Sequence, residues 1–68
     1  MNGVINRLDL EKSYGFIRGT DGTDYFFHKS GLEMTTARFS ELGEGMAVAF
    51  EAIEGPKGPR AIGVRVTE

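Results

Sequence analysis

The sequence contains no cysteine, a single histidine, only two prolines, no long hydrophobic run and no excess of positive charge. Each absence removes a class of explanation. Without cysteine there is no disulfide and no thiolate metal site to supplement a small core, so the fold rests on apolar packing and backbone pairing. The lack of cysteine also fits a reducing cytosol. A lone histidine, His28, with no cluster of carboxylates makes a poor metal site. No stretch approaches the ~20 apolar residues of a membrane span. The opening Met1-Asn2-Gly3-Val4-Ile5 has no signal-peptide layout, so a cytoplasmic protein with no membrane partner is expected. Eight Lys and Arg stand against ten Asp and Glu, a net charge of −2. That balance argues against gripping nucleic acid by bulk charge, but it leaves open binding through aromatic faces.

What is present points to an all-β chain. The 68 residues are room for one domain spanning 1–68. A chain this short buries roughly 60% of its unfolded surface. Ten glycines are scattered among short apolar runs, as in a small sandwich or barrel. Five strands are expected, over Gly3 to Leu8, Ser13 to Arg18, Asp24 to Lys29, Met46 to Ile53 and Arg60 to Thr67. Thr20-Asp21-Gly22 reads as a hairpin turn, with Asp-Gly its strongest signal. Glu54 to Pro59 reads as a loop, because its two prolines cannot donate to a ladder. Val48, Phe50 and Ala52 are expected to share one face of the fourth strand, and Ile62, Val64 and Val66 to supply the apolar positions of the fifth. Ser30 to Gly45 reads as a long irregular connection, since Thr35 and Thr36 are poor helix formers and glycines interrupt its end. Long connections in compact domains are often functional.

The chemistry concentrates in the second and third strands. Lys12-Ser13-Tyr14-Gly15-Phe16-Ile17 matches the RNA-binding signature Lys/Arg, Gly, Phe/Tyr, Gly/Ala, Phe, Val at Lys12, Tyr14, Gly15 and Phe16, with Ile17 a close substitute and Ser13 a departure. Tyr14 and Phe16 lie two apart, so both rings leave one face of a strand, and Gly15 keeps the opposite face thin. Lys12 stands where a phosphate backbone could run. Phe26 and His28 repeat the spacing on the next strand, opposite in phase to Tyr25 and Phe27. Aromatics at period two are usually core. Here both faces of the third strand are apolar, and only one can fill so small a barrel. The other is either a binding face or a protein-docking or dimerisation surface. An RRM fold would need two helices beside the sheet, and no helical period is present. Ser30 follows His28 by two, but nothing marks an orienting acid or an oxyanion hole, so catalysis is not expected. Gly55 to Pro59 lacks the Gly-Lys-Ser/Thr of a phosphate loop. No small-molecule cofactor or metal is implied.

With these motifs in place, the sequence resembles the bacterial cold-shock proteins, from Gly3 to about Thr67. Lys12 to Ile17 is similar to the family's first RNA-binding motif, normally Lys-Gly-Phe-Gly-Phe-Ile. Asp24 to His28 is similar to the second, and Glu44-Gly45, Val48, Phe50-Glu51, Gly58-Pro59 and Ala61 match later positions. The resemblance implies a five-stranded antiparallel OB-type β-barrel that binds single-stranded RNA or DNA, as an RNA chaperone or a regulator of transcription or translation. A monomer or a weak or strand-swapped homodimer is expected.

Departures from the family pattern are specific. Arg7-Leu8 stands where Trp-Phe is usual, Ser13 replaces the motif glycine, and Lys29 replaces an aromatic. The Ser30 to Phe39 stretch looks about two residues longer than in typical members. Arg7 could stack its guanidinium on a base, and Lys29 could meet a phosphate. The expected nucleic-acid-binding set is therefore Arg7, Lys12, Tyr14, Phe16, Phe26, His28, Lys29, Phe39, Lys57 and Arg60.

Overall fold

The computed structural model describes residues 1–31 and 42–67. Its strands are β1 (Asn2–Asp9), β2 (Tyr14–Gly19), β3 (Asp24–His28), β4 (Ala47–Gly55) and β5 (Gly58–Val66), with a 3-10 turn at Lys29–Gly31 directly after β3. They close into a barrel in the order β1-β2-β3-β5-β4. Four pairings are antiparallel, while β3 and β5 run parallel and pair at Phe26 and Arg60. The expected five-stranded OB-type barrel is thus mostly antiparallel, and its one parallel pair has a topological reason. Strand directions cannot alternate all the way around a closed ring with an odd number of strands, so at least one neighbouring pair must be parallel. Among the described residues no helix is long and apolar enough to cross a membrane.

The interior is filled by alternate residues of each strand, as the two-residue side-chain period demands. Ile5, Ile17, Phe27, Val48 and Val64 are its fully buried large side chains, with Tyr25, Phe50, Leu42 and Ala61 packed among them. The Tyr25 and Phe50 rings lie 5.1 Å apart. Tyr25 reaches out of the core at its hydroxyl, which donates to Asp21 Oδ2 at 2.7 Å. Both the Tyr25 hydroxyl and, secondarily, the Thr23 N–H hold the Asp21 carboxyl below the usual carboxylate range, and the same contact pushes the Tyr25 hydroxyl up. The β2–β3 turn forms at the expected Asp-Gly, with Gly22 at φ 83°.

Two readings of the later strands are corrected. The loop expected over Glu54 to Pro59 contracts to Pro56-Lys57, because β4 continues to Gly55, β5 starts at Gly58 and Glu54 pairs with Pro59. A pair next to the closing pair of a two-residue hairpin turns its N–H groups away from the partner strand, so Pro59 sacrifices no bond to β4. The period-two phase also breaks. A register shift between Ala49 and Glu51 places two residues of β5, Gly63 and Val64, against Phe50 alone. Gly63 takes φ 59°, the left-handed conformation of a bulge glycine. The bulge reverses which side chains face inward. Ala61 is therefore core and Ile62 is exposed; on β4, Val48 and Phe50 are core, whereas Ala52, expected on the same face, is exposed.

Candidate nucleic-acid interface

The outer face of β2 and β3 carries the rings. Gly15 and Ile17 point inward with Tyr25 and Phe27, so Tyr14, Phe16, Phe26 and His28 point outward and remain half-buried. Strand register then sets them in rows, since residues directly opposite each other share a face. Tyr14 stands opposite His28, and Phe16 opposite Phe26. Ring centroids are 6.3 Å apart for Tyr14–Phe16, 5.6 Å for Tyr14–Phe26 and 5.7 Å for Phe16–Phe26. These are edge-to-face and tilted contacts of the kind aromatic pairs prefer. The cluster is preorganised, and part of each ring remains open to solvent.

The row continues on both sides. Arg7 pairs with Phe16 across β1–β2, and Arg60 pairs with Phe26 across β3–β5. One line across four strands thus reads Arg7, Phe16, Phe26, Arg60, with two rings between two guanidinium groups. Arg7 occupies its place because of a bulge. The β1–β2 register slips by one between Ile5 and Arg7, leaving Asn6 unpaired. With unbroken alternation Arg7 would share the inward face of Ile5. The bulge sends it outward and turns Leu8 inward, opposite Gly15. It is anchored from the far side, where Ile5 N–H donates to Met46 O at 3.0 Å and Gly45 N–H to Ile5 O at 2.8 Å.

Arg60 lies with its Cζ 5.4 Å from the Phe26 ring centroid, over the ring. A cleft of about 550 Å³ opens here, lined by Phe16, Phe26, His28, Lys57, Pro59 and Arg60 among others. That volume is within the ~300–1,000 Å³ of sites that take small ligands or single bases. Lys57 reaches it from the tip of the β4–β5 hairpin.

The remaining expected residues are placed as follows. Lys12 is exposed in the β1–β2 turn, where its N–H donates to Asp9 Oδ1 at 3.0 Å. Lys29 is exposed in the 3-10 turn, and its N–H donates to Ser13 O at 3.0 Å, so both lysines stand at the Tyr14–His28 end of the strands. Phe39 lies outside the described residues. Arg18, on the same face as the rings, is occupied by Asp24 at 3.0 Å, and that carboxylate raises its pKa through hydrogen bonding and charge. Among the described residues no carboxylate is ion-paired with Arg7, Lys12, Lys29, Lys57 or Arg60. Local charge therefore offers what the net charge of −2 withholds.

One participant was missed from the sequence. Ser30 supports His28, its N–H donating to His28 Nδ1 at 3.2 Å while its Oγ lies 3.1 Å from the same nitrogen. In the neutral ring this assigns the proton to Nε2, which is then a donor. The signal was the two-residue spacing of Ser30 from His28. Among the described residues no group of three or more histidines and carboxylates is placed to hold a metal ion.

The comparisons with known proteins agree with this geometry. The family model described as 'Cold-shock' DNA-binding domain matches residues 1–67. The chain is similar to the "Cold shock-like protein" of Thermotoga maritima, at 46% identity over 68 residues covering 100% of each chain. It is similar to "Cold shock protein 2" of Lactiplantibacillus plantarum, at 39% identity over 64 residues and 94% of each chain. It is also similar to a "Major cold shock protein" of Streptococcus pyogenes serotype M6, at 39% identity over 62 residues, 91% of this chain and 90% of that one. A half-exposed aromatic cluster on a closed five-stranded barrel, with a family match over nearly its full length, has one reading: this chain belongs to the cold-shock DNA-binding domain family.

Proposed function

We propose that the protein binds single-stranded RNA or DNA by stacking unpaired bases on Tyr14, Phe16 and Phe26, without catalysis and without a cofactor. The observation that supports this best is the register row in which two rings stand between Arg7 and Arg60, with Tyr14 within 6.3 Å of both rings. A surface of this kind suits bases that present a π face and excludes duplex, whose bases are already stacked on each other. His28 offers a hydrogen-bond donor beside the rings, and Lys12, Lys29 and Lys57 lie where phosphates would pass. Binding of this type opposes self-pairing of RNA, the chemistry of an RNA chaperone or of a regulator of transcription or translation.

The test is titration of tyrosine fluorescence with a thymidine hexamer. Phe16→Ala and Phe26→Ala should each weaken binding by ~1–3 kcal/mol while leaving the circular dichroism spectrum unchanged. The slope of log K against log salt should be shallow, about −1 to −3, because each neutralised phosphate contributes about −0.7 and only some of the five cations engage. Unfolding of both variants would mean that the rings serve the core. Equal affinity for duplex and single strand of one length would exclude stacking.

A further inference from the structure

Arg60 is the feature of the face that general base stacking does not use up. Its stem crosses Gly55 so closely that a Cβ there would sit 2.6 Å from Arg60 Cδ. Its guanidinium lies over Phe26. In this pose Nε is buried and has no hydrogen-bond partner among the described residues. A buried charged donor without an acceptor is an unfavourable arrangement, and a ligand acceptor that draws the fork around would relieve it. Arg60 and His28 also form the boundary between two clefts. One is the ring-lined cleft. The other, about 350 Å³, runs past Ser30 and Gly31 to the β5 backbone at Ala61–Gly63. At this boundary the side chains offer donors: the Arg60 fork and, with Nδ1 accepting from Ser30, the Nε2–H of neutral His28.

We propose that Arg60, with His28 beside it, makes this end of the row a guanine-selecting subsite, an inference that rests on the base-stacking reading above. Ring and guanidinium together form a platform wide enough for a purine. Guanine presents two adjacent acceptors, O6 and N7, to a guanidinium fork, the commonest specific arginine–base contact. Adenine places its N6 amino group beside N7 and so meets the fork with a donor, thymine separates its two carbonyls by N3–H, and cytosine pairs O2 with N3 only on its Watson–Crick edge and on a smaller ring that covers less of the platform. In a single strand this edge is free to be read. Arg7, at the other end of the row, lines neither of the two clefts that Arg60 and His28 share, so the selectivity belongs to the Arg60 end alone.

The experiment uses the full chain and thymidine hexamers with one guanine walked through the six positions, read by tyrosine fluorescence. In one register guanine should tighten binding by about 5- to 150-fold over thymine. At that position inosine, which keeps O6 and N7, should retain the gain, while adenine and 7-deazaguanine should lose most of it. Arg60→Gln should erase the guanine advantage, costing the guanine hexamer clearly more affinity than the all-thymidine hexamer, and Arg60→Lys should restore only part of that advantage. A guanine gain that survives Arg60→Gln overturns the proposal. So does an equal loss on every hexamer, which would make Arg60 a phosphate contact. If Arg60→Gln does not fold, the analogue series on the unaltered protein decides alone, and indifference to N7 overturns the assignment. Hexamers that bind without regard to guanine refute this subsite only. Failure of every hexamer to bind refutes the stacking reading itself.

Discussion

Ser13 is the one described non-glycine residue with positive φ, at 61°, and it stands in the first aromatic motif immediately before Tyr14. A side chain in the left-handed region costs roughly 1–2 kcal/mol, from the approach of Cβ to the following carbonyl oxygen. Glycine would remove that cost. It would also make the unfolded chain more flexible, a loss of about 0.4–1 kcal/mol. The Ser13 hydroxyl makes no hydrogen bond to another described residue, and the Lys29 N–H to Ser13 O bond belongs to the backbone and survives substitution. The expected net effect of Ser13→Gly is therefore a stabilisation of roughly 0.5–1 kcal/mol. For a domain of this size that raises Tm by roughly 2–8 °C. Reversible thermal and urea unfolding followed by tyrosine fluorescence would measure it. Ser13→Ala is the control, because it removes the hydroxyl but keeps the Cβ, and it should not gain stability. The reasoning fails if glycine gives no gain, or if alanine gains as much as glycine. The affinity for a thymidine hexamer should be almost unchanged, since the substitution stabilises a turn that already holds Tyr14 in place.

Other expectations follow from the same geometry. Gly15→Ala should destabilise by about 1–3 kcal/mol or more, because a Cβ there would lie 2.6 Å from the Arg7 carbonyl oxygen and 2.9 Å from the Phe27 ring. Gly43→Ala, whose Cβ would meet no atom of the described residues closer than 3.8 Å, should stay within about 0.5 kcal/mol, and similar losses in both would refute the argument. The lowered Asp21 pKa means that its contribution to stability is complete above the ordinary value of 3.8 and is lost as pH falls through the lower folded value. The raised Tyr25 pKa works in the opposite sense: its contribution is complete below the ordinary value of 10.0 and is lost as pH rises through the higher folded value. Asp21→Asn should therefore make the acid limb of a stability–pH curve shallower, and an unchanged limb would show that the Tyr25 contact is not the cause. Arg7→Trp should tighten hexamer binding, Arg7→Ala should weaken it and Arg7→Lys should fall between. A uniform lack of effect, as for a solvated surface arginine worth ~0–1 kcal/mol in an ion pair, would remove Arg7 from the site.

Much of the geometry of the candidate site was legible without a structure. Tyr14 and Phe16, like Phe26 and His28, are two apart on runs of β-forming residues, and Ile17, Tyr25 and Phe27 supply the opposite phase. Side-chain alternation in a strand is a local property, so the sequence alone decided which rings share a face. The Asp21-Gly22 turn is equally local, because glycine accepts positive φ at no steric cost, and it aligns the two motifs in register.

Closure of the barrel decided the rest. Alternation along β1 would put Arg7 inside, and the Asn6 bulge that turns it outward depends on hydrogen bonds that Ile5 donates to Met46 O and accepts from Gly45 N–H, some forty residues away in sequence. Likewise the bulge at Gly63 exchanged the roles of Ala61 and Ile62, and the two-residue hairpin drew Pro59 into a strand. Arg60 meets Phe26 only because β3 and β5 close the ring in parallel. A local pattern encodes the phase of one strand, whereas bulges and the pairing of distant strands answer to the closure of the whole ring. The sequence therefore determined the rings of this face, and the tertiary structure determined the two arginines at its ends.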